Sequence, residues 1–168
     1  MRDLVAPATR LHRAWLEAHA EWGPGLHEDG FGLDPTDDVV SPAGFAAFVA
    51  RLTGEAPHVI YRWLVEDGQV LGGIALRHGP ADHVSWAGHL GFGIRPTARR
   101  RALAAWALRG MLDEARAGGL DRVLLVCEPG NSASAKTIER AGGVFETTQD
   151  TRFGPLQRYW LDLAEPAG

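Results

Sequence analysis

The sequence predicts an α/β (α+β) domain, a mixed and mostly antiparallel sheet flanked by helices, with one right-handed strand–helix–strand unit at its centre. Three observations carry that prediction. From His58 the apolar residues alternate, with Val59, Tyr61, Trp63 and Val65 on one face, and Asp67-Gly68 turns the chain into a second strand from Val70 to Leu76. Residues 99–117 change to the helical period, with Ala104, Leu108, Met111, Leu112 and Ala115 on one stripe. Arg122 to Cys127 (RVLLVC) is then a continuous apolar run, the pattern of a strand covered on both faces.

The remaining elements fit around these. Leu11, Trp15, Leu16 and Ala18 recur with helical spacing, which predicts a first helix over residues 9–22. Residues 23–40 are rich in Gly, Pro and Asp and read as a loop. Ser41 as N-cap with Pro42 at the first helical position opens a second helix to about Leu52. A third strand is expected from Val84 to Arg95. Asn131 caps a short helix ended by Gly142-Gly143, and strands at about 144–149 and 156–163 close the chain.

A length of 168 residues is one ordinary domain, 1–168, large enough for a real core. Apolar residues at 45% and charged residues at 23% are the balance of a globular chain. With 17 Lys+Arg against 21 Asp+Glu the net charge is −4, which argues against a nucleic-acid partner. No segment approaches 18 consecutive apolar residues and the first fifteen residues lack an apolar leader core, so the expectation is a cytoplasmic protein with no membrane partner. Cys127 is the one cysteine, so no intrachain disulfide forms, and the seven histidines lack metal-ligand spacing, so no metal is expected.

One stretch raises a sharper question. In GFGIRPTARRRALAAW, from Gly91 to Trp106, a strand closes at Arg95-Pro96 and three arginines stand at the mouth of a helix. They could grip nucleic acid, hold a phosphate at the helix N-terminus, or form a solvated helix end, although cations there oppose the helix dipole.

Residues 88–143 resemble the acetyl-CoA-binding half of a GNAT-superfamily N-acetyltransferase, in the order strand, phosphate loop, long helix, buried strand, Asn-capped helix. They are closest to a subgroup of bacterial acetyltransferases with a G-H-[IL]-G-[YF]-x-I-R-P strand and a later N-x-[AS]-S. The resemblance implies a GNAT fold with a splayed cofactor cleft, in which residues 1–57 form a helical acceptor-side region and 58–163 the acetyl-CoA core. It implies acetyl transfer to an amine, with acetyl-CoA as co-substrate and no metal; the alternative is a CoA- or acyl-CoA-binding domain without catalysis, and after it a nucleic-acid-binding module. The acceptor would be a small molecule or a peptide N-terminus. A homodimer is compatible with this reading.

The family's pyrophosphate loop, [QR]-x-x-G-x-[GA], falls on this chain with Thr97 at the first position, Arg100 at the first glycine and Ala102 at the second. Arg99, Arg100, Arg101, Ala102, Leu103 and Ala104 would then face the CoA phosphates. Gly93 and Ile94 would meet the pantetheine arm and the thioester carbonyl, and Asn131 and Ser134 would lie beside the cofactor. His89 stands where related members carry a proposed glutamate base; it is read either as the general base or as a buried structural histidine, with Glu128 the alternative base. Isoleucine at 138 replaces a tyrosine acid, and Tyr159 is a candidate substitute. Acceptor contacts are expected from Trp15, Trp22, His27, Glu28 and Asp29 and from the tip at residues 152–155.

Overall fold

The computed structural model describes residues 1–22, 30–56, 58–78 and 81–163, the side chains of 81–83 excepted. Its seven strands form one open sheet in the order β1-β2-β3-β4-β5-β7-β6. They are β1 (Arg2–Val5), β2 (Val59–Glu66), β3 (Gln69–Arg77), β4 (Leu90–Ile94), β5 (Arg122–Cys127), β6 (Val144–Thr151) and β7 (Gly154–Asp162). The helices are α1 (His12–Trp22), α2 (Pro42–Gly54), α3 (Ala81–Ala87), α4 (Leu103–Ala117) and α5 (Ser132–Arg140).

Local chemistry accounts for most boundaries. Asp67 and Gly68 both have positive φ (50° and 80°), the requirement of the tight hairpin turn joining β2 to β3. The Ser41 side chain accepts from the Gly44 N–H at 3.0 Å and Pro42 fills the first turn of α2. Asn131 caps α5 by accepting from the Ser134 N–H at 3.2 Å.

The sheet divides two cores. Leu103, Leu108, Met111 and Leu112 of α4 and Ile138 of α5 pack with Ile74, Leu76, Leu90 and Leu125. On the other face Trp15 of α1, Phe45 and Phe48 of α2, Phe31 and Trp63 form an aromatic cluster. Burying five aromatics and their neighbours holds the acceptor-side helices to the sheet at roughly 2 kcal/mol or more per side chain.

Two expectations need correction, and one strand is added to them. The stretch from Val84 is not strand: residues to Ala87 are helical, ended by Gly88 at φ 78°, and β4 is only Leu90–Ile94. Val84 and Trp86 favour strands, yet packing of α3 against β5 and of Trp86 on Phe153 overrides that preference. The long helix starts at Leu103 and not at residue 99, because the backbone turns left-handed at Arg100 and Ala102. Residues 2–5, unassigned by periodicity, form β1 against the far edge of β2, with Arg2 opposite Glu66.

Candidate active site

The parallel neighbours β4 and β5 are in register at a single pair, Leu90 with Leu125. Beyond it β4 follows β3 as far as Gly72↔Ile94, and β5 follows β7 as far as Cys127↔Gln157. The two strands therefore splay toward their carboxyl ends, and each leaves inner-edge backbone groups facing a gap. Ile94 turns its backbone toward that gap, whereas Gly93, paired with Gly73, turns its own toward β3.

His89 sits at the root of the splay. Its backbone N–H donates to the Leu124 carbonyl at 2.7 Å, and its Nδ1 accepts from the Leu124 N–H at 2.8 Å. One residue thus satisfies both backbone groups of Leu124. A Cβ at Gly88 would fall 2.7 Å from the same carbonyl oxygen, so only glycine permits this approach. Burial, aided by the nearby charges of His78 and Arg122, holds the His89 pKa below the ordinary histidine value. In the neutral ring that accepts at Nδ1, the proton stays on Nε2. The lone pair a base would use is therefore the one engaged by Leu124, which is the geometry of the structural histidine.

After β4 the backbone can be followed donor by donor. Arg95 N–H donates to Leu71 O, Pro96 has none, Thr97 N–H donates to a Glu21 carboxylate oxygen, Ala98 to Arg95 O, and Arg99 to Pro96 O. Among the described residues, the N–H groups of Arg100, Arg101, Ala102, Leu103, Ala104 and Ala105 donate to no protein acceptor. Six free donors thus lie at the positive end of the α4 dipole, which makes a seat for an anion.

The loop keeps a glycine-like path without glycine. Arg100 has φ 65° and Ala102 φ 56°, at the two glycine positions of the family pattern. A left-handed conformation costs a residue with a Cβ on the order of 1 kcal/mol. Arg100→Gly is therefore expected to stabilise the protein by about 1 kcal/mol, raising the melting temperature by roughly 2–4 °C. A calorimetric melt with no upward shift would contradict the strain.

The three arginines do different things. Arg99 Nε donates to the Ile94 carbonyl at 3.0 Å, and Arg101 pairs with Glu66 at 2.5 Å beside Arg2. Arg100 is exposed and forms no ion pair with another described residue. The structure thus engages Arg99 and Arg101 with the protein and leaves Arg100 reaching outward.

Other site candidates sit as follows. Glu128 is exposed just past β5, its carbonyl accepting from Asn131 N–H at 2.9 Å. Ala102 caps α4 in its left-handed conformation, Leu103 is buried and Ala104 half-buried in the first turn. Ile138 is buried against Gly143 and Tyr159 is buried with its hydroxyl 3.4 Å from Gln157, both in the core under α4 and α5. Cys127 is in that core too, its thiol pKa raised by burial and then by Glu139.

Trp15, expected at the acceptor surface, is 1% exposed in the aromatic core. Trp22 is half-buried, edge-on to Phe31 at 5.4 Å. His27, Glu28 and Asp29 lie outside the described residues. The hairpin tip meets α3, where Trp86 packs on Phe153 at 4.8 Å beside a cleft of about 430 Å³ lined by Gln149, Asp150, Thr151 and Arg152. Sequence reasoning missed Trp86, which it placed in a strand, and Arg77, whose guanidinium lies within 3.0 Å of where a Gly91 Cβ would stand. No motif marks either residue. Among the described residues no group of three His, Cys, Asp or Glu side chains is placed to hold a metal, and no helix is long and apolar enough to cross a membrane.

A splayed central pair leading into a loop of free backbone donors is the arrangement that the sequence resemblance implied. A family model described as an acetyltransferase (GNAT) domain matches residues 20–144. The chain belongs to this family. Among curated proteins none matches the sequence. Among solved structures, yncA from Salmonella typhimurium, determined with its cofactor acetyl-CoA, superposes with a TM-score of 0.67 at 18% identity, over 99% of this chain and 96% of its own. An N-acetyltransferase from Staphylococcus aureus Mu50 gives 0.70 at 19%, over 98% and 99%. The Salmonella typhimurium acetyltransferase that modifies the N-terminal serine of ribosomal protein L7/L12 gives 0.72 at 12%, over 96% and 94%. At these identities the likeness is one of fold, and the seven-stranded GNAT sheet with its flanking helices is shared.

Proposed function

We propose that this GNAT domain is an acetyl-CoA-dependent N-acetyltransferase that moves an acetyl group to a primary amine of a small molecule or a peptide N-terminus. The observation that carries the reading is the β4–β5 splay opening onto the six free N–H groups of residues 100–105. That cradle suits a diphosphate, and the inner edges of the strands suit the amides of a pantetheine arm. The bound states of similar structures, acetyl-CoA on yncA among them, support the same co-substrate.

In this reading the donors at the start of α4 hold the diphosphate, the Ile94 backbone pairs with the pantetheine arm where Gly93 leaves the strand surface bare, and Asn131 and Ser134 flank it. A neutral amine attacks the thioester carbon, a C–N bond forms, the C–S bond breaks and CoA thiolate leaves. Glu128, exposed at the end of β5, is the side chain assigned to take the amine proton directly or through water. His89 is assigned the root of the splay and not the proton transfer, because Leu124 occupies its Nδ1. Ile138, buried in the core, offers the thiolate no proton.

The test is an amine screen, reading free-thiol release together with acetylated product by mass spectrometry. Acetyl-CoA-dependent thiol release matched by an acetylated amine is the expected result. Failure of both CoA and acetyl-CoA to raise the melting temperature would remove the reading.

A further inference from the structure

Glu21 is the penultimate residue of α1, and its sign is wrong for that helix. A carboxylate in a last turn faces the negative end of the dipole, where Lys or Arg would stabilise. Its partners lie instead just past the end of β4, at the entrance to the pyrophosphate loop. One oxygen accepts from Arg95 Nε at 2.6 Å and the other from the Thr97 backbone N–H. The Glu21 and Arg95 side chains are only 18% and 14% exposed, unlike the more open Arg101–Glu66 pair, whose arginine is 44% exposed. Arg95 is itself tied to β3 through Val70 O at 3.2 Å and Leu71 O at 2.9 Å. Burial alone would raise the Glu21 pKa, but hydrogen bonds from Thr97 and Arg95 outweigh it and keep the group ionised.

The place of Thr97 gives this contact its meaning. Its N–H is the last in the 95–99 segment to need a partner from outside that segment and the strand beside it. Everything after Arg99 is left free. We infer that Glu21 is a positioning residue, which holds the entrance of the loop from α1 so that the donors of residues 100–105 converge on the CoA diphosphate. This rests on the acetyl-CoA reading above and extends it to α1, a helix of the region expected on the acceptor side.

Charge gives the test a sign. A carboxylate near the phosphates repels them, so its removal would by charge alone tighten acetyl-CoA binding. Weakening arises only through the backbone that Glu21 holds. Glu21→Ala and the parent are compared with acetyl-CoA and with acetyl-pantetheine, which lacks the diphosphate, below the melting transition of both. The expected result is a rise of about tenfold in KM for acetyl-CoA, with kcat little changed and kcat/KM for acetyl-pantetheine unaltered. Equal losses with both donors would mark a general structural role, and a KM for acetyl-CoA that is unchanged or lower would overturn the inference.

If Glu21→Ala does not fold, Glu21→Gln carries the same test. It keeps an acceptor for Thr97 while losing the charge on Arg95, so a smaller selective rise of about threefold is expected, and no rise overturns the inference. A parent that neither binds nor turns over acetyl-CoA removes the functional reading and the inference together. A working parent whose KM survives Glu21→Ala removes the inference alone.

Discussion

Ala102→Asp is expected to raise the dissociation constant for CoA by about 100-fold without lowering the stability of the free protein. Ala102 is the N-cap of α4 at φ 56°, ψ 25°, and it is exposed. Aspartate tolerates the left-handed region better than most residues with a Cβ, so the loop keeps its path. It is also a favoured N-cap and places negative charge at the positive end of the helix dipole, which stabilises α4 in the absence of ligand. In the proposed cradle the same carboxylate would stand where the diphosphate sits. Like charges brought together cost several kcal/mol, and about 2.7 kcal/mol corresponds to 100-fold. Stability and affinity should therefore move in opposite directions, which separates the effect from unfolding. Titration calorimetry and thermal melts on the same preparation measure both, and a CoA affinity equal to the parent's would remove the phosphate-cradle assignment. Arg101→Ala should cost less than about 1 kcal/mol, since that guanidinium is partly exposed and pairs with Glu66.

Where local chemistry sets the structure, the sequence was readable. Asp67-Gly68 demands one kind of turn, Ser41-Pro42 and Asn131 open helices, and RVLLVC has enough apolar residues in a row to name a buried strand. The family pattern falls on residues 97–102 despite two missing glycines, because what it describes is a backbone path, and Arg100 and Ala102 take the left-handed conformation that glycine favours. What was not readable depends on packing between distant segments. Val84 and Trp86 have strand propensities, and only β5 and the hairpin tip make them helical. Trp15 looked like an acceptor contact because an aromatic on an amphipathic helix gives no sign of how deep its face is buried. The single-pair register of β4 with β5 is a tertiary fact, and so is the contact of Glu21 with Arg95, 74 residues away. The second did leave a trace, an acid at the wrong end of a helix.

His89→Ala should cost stability and leave chemistry nearly intact, the opposite of what loss of a base would do. The substitution removes the acceptor for the N–H of Leu124, a residue that is 1% exposed. An unsatisfied buried donor costs about 1–3 kcal/mol, which for a chain of this size lowers the melting temperature by roughly 5 °C. Below that transition kcat should stay within about twofold of the parent and the pH–rate profile should keep its shape. Loss of a general base would instead cost about 10²–10⁴ in rate and erase one limb of the profile. Linkage supplies an independent check. Burial lowers the folded-state pKa of His89, so the unfolded chain binds the proton more readily. The contribution of His89 to stability is complete above the unfolded value of about 6.5 and declines as pH falls below it, levelling off once the folded ring also protonates. The parent should therefore lose melting temperature on acidification through that window more steeply than His89→Gln, whose side-chain carbonyl can accept from Leu124 at any pH. A His89→Gln protein that melts like the parent at every pH but has lost its turnover would return the base to His89.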